Sequence, residues 1–173
     1  MCDTSVCPDF ATRALPRPIE WTAKSAKEPP LNIDVIVTDQ PDAAAVALIS
    51  ERLDQFNIEL SGITDHTPLA VLVTDPDSGE VLGGLIGRTS LGVLFVELFF
   101  LPESLRGDDL GMRLLKAAED EARRRGCRHG VLYTISFQAP GFYVKQGWEI
   151  FGEVPCNPPG TSRVFLRKDL SIG

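Results

Sequence analysis

Apolar positions along the chain fall into alternating and helical stretches that predict an ordered series of elements. Leu31 to Val37 alternates and is β-branched, which predicts a strand; Thr38, Asp39 and Pro41 then signal a helix start, with Val46, Ile49, Leu53 and Phe56 at helical spacing behind it. A polar loop, Ser61 to Thr67, leads to three apolar runs: Leu69 to Val73, Val81 to Ile86 and Val93 to Leu101. The turn residues Asp75 to Gly79 and the segment Arg88 to Gly92 separate them, so an antiparallel meander is expected. From Leu110 to Arg125 a stripe of Leu110, Leu114, Leu115, Ala118 and Ala122 predicts a helix ended by Gly126, with Lys116, Glu119, Glu121 and Arg124 on its polar face. A strand over Val131 to Ile135, a short helix over Ala139 to Gln146 and two last strands, Trp148 to Val154 and Arg163 to Arg167, complete the order β-α-β-β-β-α-β-α-β-β. The fold class expected is α/β, an α+β arrangement with a mixed sheet. Residues 1–30 hold five prolines and little periodicity, and read as an irregular extension before a domain covering 31–173.

Composition narrows the class. The chain has 173 residues, 43% hydrophobic and 24% charged, which fits one folded domain and excludes a disordered chain. A net charge of −7 argues against a broad grip on nucleic acid or anionic lipid; the basic run Arg123 to Arg125 reads as the solvated end of a helix. No apolar window is long enough for a membrane span and the amino terminus lacks the pattern of a leader, so a cytoplasmic location is expected. The four cysteines do not make a disulfide scaffold, and Cys2 and Cys7 have no nearby histidine, so no metal site is expected.

One segment carries a chemical suggestion of its own. In Phe99 to Met112 an apolar strand runs through a glycine-containing turn straight into an amphipathic helix. Free amides at such a helix start, with the positive end of its dipole, suit a phosphate or pyrophosphate. A second segment, Ser136-Phe137-Gln138-Ala139-Pro140-Gly141-Phe142-Tyr143-Val144-Lys145-Gln146-Gly147-Trp148, joins a strand end to a short helix with a Gly-Trp exit.

Together these resemble the GNAT superfamily of N-acetyltransferases, whose cofactor loop reads Q/R-x-x-G-x-G/A and whose later helix often reads A-x-x-F-Y-x-K-x-G-F/W/Y. The Ser-Phe-Gln-Ala of Ser136 to Ala139, the Pro158 to Gly160 triplet, Arg163 and the Phe165 to Lys168 ending are similar to a subgroup of small bacterial members. The resemblance covers residues 31 to 170 and implies a V-shaped split between the strand ending at Leu101 and the one from Val131. It implies acetyl-CoA in that gap as co-substrate, with pantetheine on the backbone of Phe100 and Leu101. The pyrophosphate is then expected on Gly107, Asp108, Asp109, Leu110, Gly111 and Met112, beside Arg106 and Arg113, with Ser136, Ala139 and Phe142 also against the cofactor.

The implied activity is transfer of an acetyl group to a primary amine of a small molecule or peptide by direct attack in a ternary complex. Tyr143 matches the family position whose hydroxyl serves the departing sulfur, the alternative being a core aromatic. Glu97, the sole charge in Val93 to Leu101, is a candidate base whose burial raises its pKa, or else a surface residue paired with an arginine. His66 is either near the cleft or in an exposed loop. Two residues depart from the pattern: Asp109 stands where the loop has its first glycine, and Asp108 precedes it. Aspartate tolerates a left-handed backbone, but a carboxylate about 5 Å from a pyrophosphate charge costs about 3 kcal/mol at an effective dielectric of about 20. Either both acids face away from the cofactor, or the domain is a non-catalytic module sensing acyl-CoA or another ligand. The last two strands offer a surface for a homodimer.

Overall fold

A computed structural model of the chain describes residues 33–171. It divides into two units, Met1–Pro41 and Asp42–Gly173. In the first, residues 33–38 form neither helix nor strand. The strand expected over Leu31 to Val37 is therefore not formed in its described part. Alternation supplies an apolar face, but a strand also needs a neighbour to complete its ladder, and no described residue of this segment joins the sheet. The expected boundary at residue 31 lies outside the described residues.

The second unit has the expected elements: α1 (Ala43–Ser61), β1 (Thr67–Thr74), β2 (Val81–Ser90), β3 (Val93–Phe100), α2 (Leu110–Arg124), β4 (His129–Ile135), α3 (Pro140–Lys145), β5 (Glu149–Cys156) and β6 (Thr161–Asp169). They build a mixed α/β architecture on one six-stranded sheet in the order β1-β2-β3-β4-β6-β5. Only β3 and β4 are parallel neighbours, because α2 carries the chain back between them. Asp42 caps α1 by accepting from the amide of Ala44, and Gly62 ends it in the left-handed region. The α1 stripe of Val46, Ile49, Leu53 and Phe56 is helical as expected, yet all four are exposed. Among the described residues, no helix is long and apolar enough to cross a membrane.

The core lies on one face of the sheet. Leu115, Ala118 and Ala122 of α2 pack on Leu69, Leu85, Leu94, Val96 and Leu132, and Tyr143 of α3 joins them with Trp148. On the opposite face Ile86 opposes Leu98 and Gly84 lies between Leu72 and Phe100, and these four large side chains are exposed among the described residues.

Glu119 was expected on the polar face of α2 but is buried, at 4% exposure. Spacing explains it, since Leu115, Glu119 and Ala122 share one side of the helix. The ammonium of Lys168 donates to both carboxylate oxygens at 2.8 and 2.7 Å and to the carbonyl of Gln146 at 2.7 Å, while Trp148 Nε1 donates to Glu119 at 3.0 Å. All three ammonium protons are thereby used. The basic run is also engaged internally. Arg123 reaches the carbonyl of Leu170, Arg124 and Arg125 both bond Glu121, and Arg125 also bonds the carbonyls of Thr67 and Pro68. Its hydrogen bonds from Arg124 and Arg125 hold the Glu121 carboxyl at about 2, well below the usual carboxylate range.

Removing one partner of a buried pair strands the other charge, at a cost of about 3–5 kcal/mol. Lys168→Met should therefore lower the free energy of urea unfolding by that amount. The double variant Lys168→Met with Glu119→Leu should recover most of it, and equal losses in single and double variants would contradict the coupling.

Candidate active site

The site is made by two strands that part. Rungs join β3 to β4 only from Val93 with His129 to Val96 with Leu132. Beyond them β4 stays with β6 as far as Ile135 opposite Arg163, whereas β3 stays with β2 as far as Phe100 opposite Gly84. A bulge starts the separation. On β2, Gly87 opposes Val96 and Ile86 opposes Leu98, so Glu97 is the extra residue on β3, and such an insertion bends and twists its strand. Gly87 permits it: a Cβ there would lie 2.2 Å from the carbonyl oxygen of Phe95.

Between the parted strands lies a cleft of about 680 Å³. Phe99, Phe142 and Tyr143 form its aromatic wall, packed edge to face with centroids 5.1 to 6.4 Å apart. Tyr143 is buried, and burial pushes its phenol up to about 12. The other end is closed by the turn into α2. Arg106 donates through Nε to the carbonyl of Leu101 at 2.8 Å, Gly107 has φ 105° and Asp109 has φ 57°, a left-handed position that aspartate tolerates. Asp109 makes no side-chain cap bond, so the first amides of α2 have no partner from it. A free helix start thus faces a slot lined by aromatic and polar side chains, an arrangement suited to an anion with a long neutral arm.

The family model described as the acetyltransferase (GNAT) family matches residues 35–148. The chain belongs to this family. It is 33% identical over 136 residues to an acetyltransferase of Agrobacterium fabrum, covering 79% of this chain and 98% of the relative. It is 37% identical over 111 residues to the blasticidin-S acetyltransferase of Streptomyces morookaense, covering 62% of this chain and 82% of the relative. The crystal structure of an acetyltransferase from Agrobacterium tumefaciens superposes with a TM-score of 0.72 at 33% identity, covering 79% of this chain and 99% of that one. The chain is accordingly a GNAT acetyltransferase, and the non-catalytic alternative is not favoured.

Of the residues expected at the GNAT site, Phe100, Leu101, Arg106, Gly107, Asp109, Gly111, Met112, Ala139, Phe142 and Tyr143 line the cleft. Asp108, Leu110, Arg113 and Ser136 do not; Ser136 instead exchanges hydrogen bonds with Ser162 of β6. Glu97 also lies off the cleft lining. It is neither deeply buried nor unpaired, since its side chain is 43% exposed and its carboxylate meets Arg88, whose guanidinium stacks over Phe95. His66 bonds Asp54 at 2.6 Å beside a separate hollow of about 160 Å³.

Phe99, Thr134, Phe137, Gln138 and Gln146 also line the cleft and were not singled out as site residues. Gln138 accepts from Thr134 Oγ1 and from the amide of Ile135, both at 3.0 Å, and so ties the turn to the end of β4. Strand alternation was the available signal for Thr134, two residues beyond the buried Leu132.

Gly87→Ala drives a methyl group into the backbone of β3 and should cost about 1–3 kcal/mol of stability. Urea unfolding measures it. An unchanged midpoint would mean that the bulge does not need glycine.

Proposed function

We propose that the cleft holds acetyl-CoA and that the chain moves the acetyl group to a primary amine of a small molecule. The observation that carries this reading is the parting of β3 from β4 beside an unoccupied edge of β3 and the free start of α2. An extended pantetheine arm can add to that edge as a further strand does, on the backbone of Phe100 and Leu101. The Leu101 carbonyl keeps a second lone pair beyond the one used by Arg106. The pyrophosphate would rest on the amides from Gly107 to Met112, with Arg106 and Arg113 supplying positive charge. The blasticidin-S acetyltransferase relative supports a small-molecule acceptor.

In the reaction the amine nitrogen attacks the thioester carbonyl carbon, the C–N bond forms and the C–S bond breaks. The nitrogen sheds a proton as the sulfur gains one, giving amide and thiol. Tyr143 is held in its protonated form and donates a hydrogen bond to the departing sulfur. Glu97 receives the amine proton from the opposite side, through water.

Two outcomes test the assignment. Asp109 lines the slot but is exposed, so its repulsion of the pyrophosphate lies between about 0.8 kcal/mol in bulk water and about 3 kcal/mol at lower dielectric. Asp109→Asn, which keeps the left-handed backbone accessible, should tighten acetyl-CoA binding about tenfold in isothermal titration, and an unchanged Kd would place the phosphates elsewhere.

Tyr143→Phe should lower kcat about a hundredfold and leave the acetyl-CoA Kd unchanged. The folded-state pKa of this phenol is raised from 10 to about 12, so the folded protein should lose stability as pH climbs through that interval. The variant should lack this loss. A kcat within threefold of the native enzyme would remove Tyr143 from the mechanism.

A further inference from the structure

Glu119 of α2 and Lys168 of β6 lie outside the cleft lining, and the transfer step makes no use of them. The pair is nonetheless tied to the segment that carries Tyr143. Lys168 donates to the carbonyl of Gln146, whose amide in turn donates to the carbonyl of Tyr143 at 2.9 Å. Trp148 is held at two points: its backbone amide donates to the same Tyr143 carbonyl at 3.1 Å, and its indole Nε1 donates to Glu119 at 3.0 Å. Between Gln146 and Trp148, Gly147 has φ 83°, a left-handed bend that turns the chain out of α3. The indole ring then lies over Gly130, the ladder partner of Lys168, where a Cβ would meet it at 2.8 Å. It also meets the Tyr143 ring edge to face, with centroids 6.4 Å apart.

These contacts set where α3 ends. The helix has only six residues and no side-chain cap at its start, so it is too short to hold its place unaided. Apolar packing beneath it is non-directional. A buried ion pair is a poor source of stability beside apolar residues of the same size, and what it supplies instead is a directed set of hydrogen bonds. We propose that Glu119 and Lys168 are positioning residues of the acetyl transfer, holding the end of α3 so that the Tyr143 hydroxyl stays within hydrogen-bond reach of the departing sulfur. This role rests on the transferase reading above and extends it to two residues that touch neither substrate. A displacement of about 1 Å at the reacting groups costs about a hundredfold in rate, so a lock without contact to the cleft governs turnover.

The test separates position from stability in the full chain. Lys168→Met combined with Glu119→Leu removes both charges, keeps the core apolar and should recover most of the stability that Lys168→Met alone loses. The chain has two tyrosines, so Tyr133→Phe leaves Tyr143 as the single site for fluorotyrosine. In that background fluorine NMR should show one sharp line that moves when acetyl-CoA is added. Introducing the compensated pair should broaden or split the line, while titration gives an unchanged Kd for acetyl-CoA. With blasticidin S as the amine, the pair should lower kcat for release of coenzyme A thiol about tenfold, and should lower it no further in a chain already carrying Tyr143→Phe. A fluorine line that the pair leaves unchanged, or a kcat loss that persists in full without the Tyr143 hydroxyl, overturns the positioning role and leaves the transferase reading standing. Failure to bind acetyl-CoA at all overturns both.

Discussion

The carboxylate of Glu119 is the fixed point of the domain. A charge at 4% exposure is tolerable only when its partners converge on it, and here they come from three separated stretches of chain: Trp148 after α3, Lys168 of β6 and, at longer range, Arg123 one turn along α2. The third proton of Lys168 goes to the carbonyl of Gln146, which closes α3. One carboxylate thus locks α2 to the end of α3. The amide of Trp148 in turn donates to the carbonyl of Tyr143, so the same lock sets the phenol against the cleft. Since α2 begins at the turn that closes the other end of the cleft, the separation between that turn and Tyr143 is a consequence of a contact far from either. Apolar packing alone is non-directional and would leave such a separation loosely specified.

The second constraint is an asymmetry of pairing. On its other side β4 is paired with β6 from His129 to Ile135, but with β3 for only four residues. The bulge at Glu97 lets β3 follow β2 instead, and the close approach at Gly87 makes that bulge possible. The gap is therefore built from two complete ladders that diverge, not from a flexible loop. An extended ligand arm of the kind proposed would complete the unpaired edge of β3 and replace the hydrogen bonds the missing rungs would have supplied.

Much of this was legible locally. The stripe of α2, the meander of β1 to β3 and the glycine turn before α2 all follow from periodicity and turn chemistry, and ten of the residues that the resemblance to the GNAT pattern singles out line the cleft. What escaped depended on partners remote in sequence. Ile33 and Val35 alternate as a strand does, but alternation does not provide a neighbour. Glu119 sits on the apolar side by spacing, between Leu115 and Ala122, and only its charge argued for solvent; Lys168, 49 residues later, makes burial possible. Glu97 was legible only as two alternatives, a buried base or a surface residue paired with an arginine; the structure shows the second, with Arg88 as the partner, and one inserted residue places it there. Periodicity counts residues, and a bulge adds one that no local pattern announces.

The chemistry of the walls also bears on the order of events. A mechanism that parks the acetyl group on the protein needs an activated nucleophile in the cleft. Among the described lining residues the only hydroxyls belong to Thr134 and Tyr143, and Thr134 donates its proton to Gln138 with no base beside it. The described cysteines are no better placed: Cys127 is buried in the core, where desolvation raises its thiol, and Cys156 lies on β5 against Thr161. Neither lines the cleft. Tyr143 meanwhile keeps its proton, which suits a hydrogen-bond donor and not a nucleophile. The two groups proposed to handle protons stand on opposite faces of the sheet, Tyr143 on the side of the helices and Glu97 on the other, with the gap between them. That division lets the leaving sulfur and the incoming nitrogen be served at once, which is the requirement of a direct transfer with both substrates bound.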